Sequence, residues 1–178
     1  ATEVQTRVES ILNWLEAINF NDGTGGVYGF PYHWFTNSGQ QKWTTAQGGG
    51  ISTIDWAMCA AGIRLVKQKY AGNTNIVNQA NTLLARPQWE MMLNANNRIA
   101  LGLDENGNHQ YEWGLAFSEE TELVLTEAIA SGRLTQTQIN NLLSSTVRKK
   151  SYGFYPSWFG CGFTYNWLQL WTGKTEPY

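Results

Sequence analysis

The chain has 178 residues, enough for a single domain with a substantial core, and one domain is expected over residues 1–178. Charged residues make up 15% and the formal net charge is -2, so no face gathers the cationic field that nucleic acid requires, and nucleic acid is not expected as a partner. No apolar run approaches the roughly 18 residues of a membrane-spanning helix, so no membrane partner is expected.

The first element is read from Thr2 and Gln5, an N-cap and its partner three positions on, followed by Val4, Val8, Ile11, Leu12, Leu15 and Ile18 at helical spacing. A glycine-rich loop, 21–26, then leads into Val27-Tyr28-Gly29-Phe30-Pro31-Tyr32-His33-Trp34-Phe35, where proline, glycine and the aromatics predict a loop or short strand. From Ser52 to Tyr70 a helix returns. Ile51, Ile54, Trp56, Ala57, Met58, Cys59, Ala60, Ala61 and Ile63 leave its first half almost no polar face, so it is expected to be buried on most sides. Asn75 to Leu84 predicts an amphipathic helix, and Pro87 is expected in the first turn of a short one reaching Leu93. Asp104-Glu105-Asn106-Gly107-Asn108 predicts the tip of a hairpin.

Ser118 is expected to cap a helix that Gly132 stops, its first turn holding Glu119, Glu120 and Glu122 against the positive end of the dipole. Thr135 and Gln138 form a second capping box before Ile139, Leu142 and Leu143. A last helix is expected from Phe163 to Trp171. The fold class is therefore mainly α, with about six or seven helices joined by aromatic, glycine-rich loops.

Aromatic residues depart most from average composition, with Trp 9, Tyr 8 and Phe 7 beside Gly 18, and many fall in the loops. An exposed indole matches the apolar C–H face of a sugar ring, whereas an indole in a helix more often fills the core. On that division Trp34, Trp113 and Trp158 rank first as sugar platforms, followed by Trp43 and Trp167, with Trp14, Trp56 and Trp89 assigned to the core. One internal echo strengthens the pattern: the stretch from Tyr28 to Phe35 reappears from Tyr152 to Phe159 as Tyr-Gly-Phe-Tyr-Pro-Ser-Trp-Phe, each before a helix.

Cys59 and Cys161 match neither a metal cluster nor a dense disulfide framework, so both are read as structural, with their bonding left open. No HExxH, paired cysteine or P-loop occurs, and no metal or cofactor is expected. The chain opens on Ala1 and not on methionine, which suits a mature protein freed of a leader and predicts a secreted or periplasmic location.

Taken in order, Gly29-Phe30-Pro31-Tyr32-His33-Trp34-Phe35, Gly50-Ile51-Ser52-Thr53-Ile54-Asp55-Trp56-Ala57, Trp89-Glu90-Met91-Met92-Leu93-Asn94, Phe117-Ser118-Glu119-Glu120 and Phe159-Gly160-Cys161-Gly162-Phe163-Thr164-Tyr165-Asn166-Trp167 resemble the successive motifs of the glycoamylase-like family. That resemblance implies a partial (α/α) toroid, shortened to about half the usual fold, and glycoside hydrolase activity on a β-glucan or related polysaccharide. An oligo- or polysaccharide is the implied partner. A homo-oligomer or a missing partner segment would complete the toroid.

Glycoside hydrolysis needs a proton donor and a second carboxylate that attacks or activates water. Asp55 falls in the first turn of the buried helix, where free N–H groups and the dipole favour its ionised form. Glu119 follows the apolar run 113–117, which would raise its pKa toward that of a usable acid. Asp55 and Glu119 are the candidate catalytic pair, although both also suit simple helix caps. Glu112 is a second-rank acid. The expected substrate contacts are Tyr32, His33, Trp34, Trp113, Glu120, Trp158, Tyr165 and Trp167. The loops 28–35, 113–118 and 152–162 are expected on one rim. Two other functions fit the same residues: a non-catalytic glycan-binding module, or a self-assembling structural subunit derived from a half-toroid.

Overall fold

The structure is a computed structural model that describes residues 2–23, 25–35, 50–104, 106–113 and 119–145, with the backbone alone for Glu119 and Glu120. Within them lie five α-helices and two small antiparallel sheets: α1 (Glu3–Ala17), β1 (Gly26–Val27), β2 (Phe30–Pro31), β3 (Ile51–Ser52), α2 (Thr53–Lys69), α3 (Thr74–Ala85), β4 (Gly102–Leu103), β5 (His109–Gln110), α4 (Glu119–Ala130) and α5 (Gln136–Ser145). The class is mainly helical. Pro87, expected in the first turn of a short helix, instead precedes that element, which is a four-residue 3-10 turn, Trp89–Met92, with Gln88 before it. The helix expected from Phe163 lies outside the described residues, as does the second copy of the aromatic echo.

Local signals account for most helix ends. Thr2 Oγ1 accepts from Gln5 N at 3.3 Å, but the Gln5 amide donates to Glu9 at 3.0 Å instead of turning back, so that box is half formed. The second box is complete: Thr135 N donates to Gln138 Oε1 at 2.8 Å and Gln138 N to Thr135 Oγ1 at 3.2 Å. Gly132 adopts φ 70 after α4, the left-handed geometry that ends a helix.

Helix α2 is the hub, packing against α3 and α4 and burying Thr53, Trp56, Ala57, Ala60, Ala61 and Ile63. Edge-to-face ring pairs link its core to the loops: Phe20 to Trp56 at 5.8 Å, and Phe30 to Trp89 at 4.9 Å. Trp56 and Trp89 are core residues, as expected. Trp14 is not: with Val4 and Ile11 it lies on an exposed stripe of α1, its ring edge-on to Phe35 at 5.8 Å. The apolar period of α1 is thus wider than the strip it buries, because its partner α3 covers only the Val8, Leu12 and Leu15 side.

Polar side chains fix how α1 and α3 sit together. Asn73 donates to Glu9 at 3.1 Å, Gln79 to Asn13 and Glu16, and the Arg86 guanidinium to the carbonyls of Leu15, Glu16 and Ile18 at 2.9–3.1 Å. The partners advance together along both helices, so α1 and α3 run in the same sense. Arg86 also satisfies carbonyls that every helix leaves unpaired at its C-terminus, and it stacks 5.0 Å above the Phe20 ring. Between α2 and α4, Arg64 Nε lies 2.9 Å from the buried carboxylate of Glu127.

Candidate functional site

The site forms where three loop-borne segments meet the N-terminus of α2. The β1–β2 hairpin turns through Tyr28 and Gly29, at φ 52 and 76, and Tyr32 then bridges to Ile51, carrying His33 and Trp34 to the first turn of α2. His33 N donates to Gly50 O at 2.7 Å. Pairing of β3 with β4 and of β4 with β5 brings the segment 109–113 to the other side of that turn.

Asp55 is held from two directions. Ser52, the N-cap, accepts from Asp55 N at 3.4 Å and its hydroxyl donates to Asp55 Oδ2. His33 Nε2 lies 3.0 Å from the same oxygen, a distance at which an Nε2–H donates to the carboxylate. The Asp55 side chain stays 40% exposed and that of His33 29% exposed. The Trp34 ring stacks on the imidazole at a centroid distance of 4.3 Å and is itself 49% exposed. Asp55, His33 and Trp34, from two parts of the chain, are therefore brought together as an exposed carboxylate, an imidazole and an indole.

Trp113 meets the same helix turn from the other side: its indole N–H donates to Thr53 Oγ1 at 2.8 Å, and the Thr53 hydroxyl donates to Leu101 O at 2.8 Å. A depression of about 300 Å³ opens beside it, lined by Trp113, Tyr111, Gln110 and Ile54 and by strands β3, with Ser52, and β4. Ser52 thus borders the depression and also holds Asp55.

Two sequence-based expectations change. Tyr32 was expected to touch substrate, but it is buried and its hydroxyl donates to Gly23 O at 3.2 Å, which ties the glycine loop to the hairpin. Glu112 was a candidate acid, but Arg98 Nη1 lies 2.5 Å from it and Asn94 and Asn96 donate at 2.5 and 3.2 Å. Burial pushes its pKa up, but those hydrogen bonds and the Arg98 charge outweigh it, so the carboxyl is held below its usual range and ionised. An acid that must hold a proton near neutrality has the opposite requirement.

Glu119 and Glu120 open the backbone of α4, and their side chains, with Trp43, Trp158, Tyr165 and Trp167, lie outside the described residues. Of the loops expected on one rim, 28–35 and Trp113 reach the same end of α2, while 114–118 and 152–162 are also outside them. Cys59 is a free, half-buried thiol on α2, pushed up to about 11 by burial, while Cys161 lies outside the described residues. Among the described residues no three His, Cys, Asp or Glu side chains group to hold a metal, and no helix is long and apolar enough to cross a membrane.

Sequence reasoning did not anticipate the His33–Asp55 contact or the place of Gln110 and Tyr111. The first had a signal, since Ser52 and Asp55 stand at capping-box spacing and His33 precedes them by one loop. Against protein-family models, curated proteins and solved structures, the chain finds no match.

Proposed function

We propose that this chain is a carbohydrate-active protein, a glycoside hydrolase that works at the N-terminal end of α2 on a β-glucan or related polysaccharide. The observation that carries the reading is the half-exposed Asp55 carboxylate, aligned by Ser52 and His33 beside the half-exposed ring of Trp34. A sugar packed against the half-exposed Trp34 indole beside Asp55 would meet an apolar ring and a carboxylate acceptor together, the pairing of apolar face and polar rim that pyranoses need. In this reading the Asp55 side chain takes the proton of an attacking water. Glu119 would donate a proton to the leaving oxygen, glycosidase carboxyl pairs in general standing about 5 to 9.5 Å apart.

The shared direction of α1 and α3, which alternate with α2, supports a partial (α/α) toroid, and the protein would act outside the cytoplasm, as secreted or periplasmic. A second reading, a glycan-binding module without turnover, is favoured by the shallow depression beside Trp113, in which no charged side chain is among the described lining residues.

The test is a glycan array on purified protein, followed by a reducing-end assay on each hit. The expected result is turnover that falls on the order of 10²-fold in Asp55→Asn and in Glu119→Gln while binding survives. Binding without turnover in the wild type rejects the hydrolase and leaves the binding module. If neither is detected, both readings fail.

A further inference from the structure

We infer that the depression between the first turn of α2 and strands β3–β5 is a separate subsite for one neutral pyranose ring, with Tyr111 as its stacking platform and Gln110 as its polar contact. The inference rests on the carbohydrate reading above, but its two contact residues, Tyr111 and Gln110, are ones which that reading does not use.

Three observations converge on it. The first is Tyr111 itself. Its backbone sits at φ 52, in the left-handed region that a bulky residue adopts at a cost, yet its side chain is 82% exposed and recovers none of that cost by burial. The geometry persists because both flanks are fixed. On one side β5 pairs with β4. On the other, Glu112 is clamped by Arg98, Asn94 and Asn96, and Trp113 N donates to Ile99 O at 2.7 Å. The chain is thereby made to hold an exposed tyrosine at the lining of the depression.

The second observation is the alternation of β5. His109 is used up on one side, its Nε2 lying 2.8 Å from Met91 O, whereas Gln110 lines the depression. A primary amide offers both donors and an acceptor, which suits vicinal hydroxyls.

The third observation is the chemistry and size of the enclosure. About 300 Å³ is at the lower end of the roughly 300–1,000 Å³ typical of small-molecule sites, room for one ring and not for a polymer segment. Among the described residues its lining holds Trp113, Tyr111, Ile54 and Ile51 with Gln110 and Ser52 and no charged side chain, a surface that matches a neutral, amphipathic occupant better than a phosphate or carboxylate. Ser52, which also holds Asp55, makes this subsite the immediate neighbour of the proposed catalytic carboxylate.

The experiment measures binding of a panel of β-linked gluco-oligosaccharides of increasing length by calorimetry, with the Trp113 indole N–H followed by NMR. The subsite predicts that ligand shifts this signal. Tyr111→Ala and Gln110→Ala should each weaken binding about tenfold, while Tyr111→Phe, which keeps the ring, stays within about threefold of wild type. Tyr111 is exposed, so its variants are expected to fold. If the wild type binds the panel but both alanine variants match it and the Trp113 signal does not move, the subsite is refuted and the carbohydrate reading stands. If the wild type binds no member of the panel, the subsite and the carbohydrate reading fall together.

Discussion

The two hairpins each hold a tyrosine at φ 52, and the two tyrosines are justified in different ways. Tyr28 is the first residue of a two-residue turn whose second residue, Gly29, is also at positive φ, the arrangement that matches the twist of paired strands. Its carbonyl accepts from Gln88 N at 2.9 Å, and its half-buried ring borders the glycine turn at Gly107. Packing and turn geometry thus offset the strain. Tyr111 has the same backbone angle with an exposed ring and no turn of this kind. Strain repaid by packing tells of folding, whereas strain left unrepaid at an exposed ring points to a ligand.

The largest expected effect separates these two environments at a glycine. At Gly29 an added Cβ would sit 1.9 Å from Arg86 O at φ +76, so Gly29→Ala should cost about 3 kcal/mol or more in urea unfolding. Gly107→Ala, at φ +82 but with nothing nearer than the Tyr28 hydroxyl at 3.5 Å, should cost only about 1 kcal/mol. Equal losses would show that φ alone, and not the close approach of chain segments, governs the first hairpin.

Next in size is the ion pair between α2 and α4. Burial raises the Glu127 pKa, against the lowering effect of Arg64, so Arg64→Met leaves a buried carboxylate unpaired and should cost about 3 kcal/mol at neutral pH. The sign follows from the raised pKa: protonated Glu127 is the form that burial favours, so the variant's deficit should shrink as pH falls. A deficit independent of pH would mean that lost packing, not charge, is responsible.

Substituting asparagine at the two tyrosines tests the comparison directly, since asparagine tolerates the left-handed region. Tyr111→Asn should raise stability by about 0.5–1 kcal/mol, because it relieves strain and loses little burial, whereas Tyr28→Asn should lower it by about 1 kcal/mol through lost packing. The comparison breaks if both move in the same direction in thermal denaturation.

An effect of similar size concerns the clamp beside Tyr111. The Glu112 pKa is depressed below its ordinary value of 4.5, so its contribution is present above that pH and is lost as pH falls through the folded-state value. Glu112→Gln should therefore be about 1 kcal/mol less stable than wild type at neutral pH and equal to it in acid, as followed by denaturant midpoints.

What could be read from the sequence was local. Thr2, Ser52 and the Thr135–Gln138 box announce helix starts because a cap is satisfied within three residues, and the hairpin around Asn106–Asn108 follows from turn chemistry over as short a span. The buried first half of α2 followed from its composition. Trp14 was misplaced because helical periodicity tells which residues share a face, not how much of it a partner covers. Nor does spacing reveal Arg86 on the end of α1 or Arg64 on Glu127, since these pairs join residues more than sixty positions apart. Asp55 was legible as a helix-start acid. Its contact with His33 was not, because that depends on how the first hairpin pairs with β3.

Arg86 has a further consequence for how the molecule would respond to a cut. Because its guanidinium grips three carbonyls at the end of α1, and Asn73 and Gln79 hold that helix at two further points, α1 depends little on its peptide connection to the rest. The turn at Asn21 and Asp22 is exposed and open to a protease. A chain nicked there should stay together as a two-piece protein, with the severed helix leaving only when the ends of α1 and α3 separate.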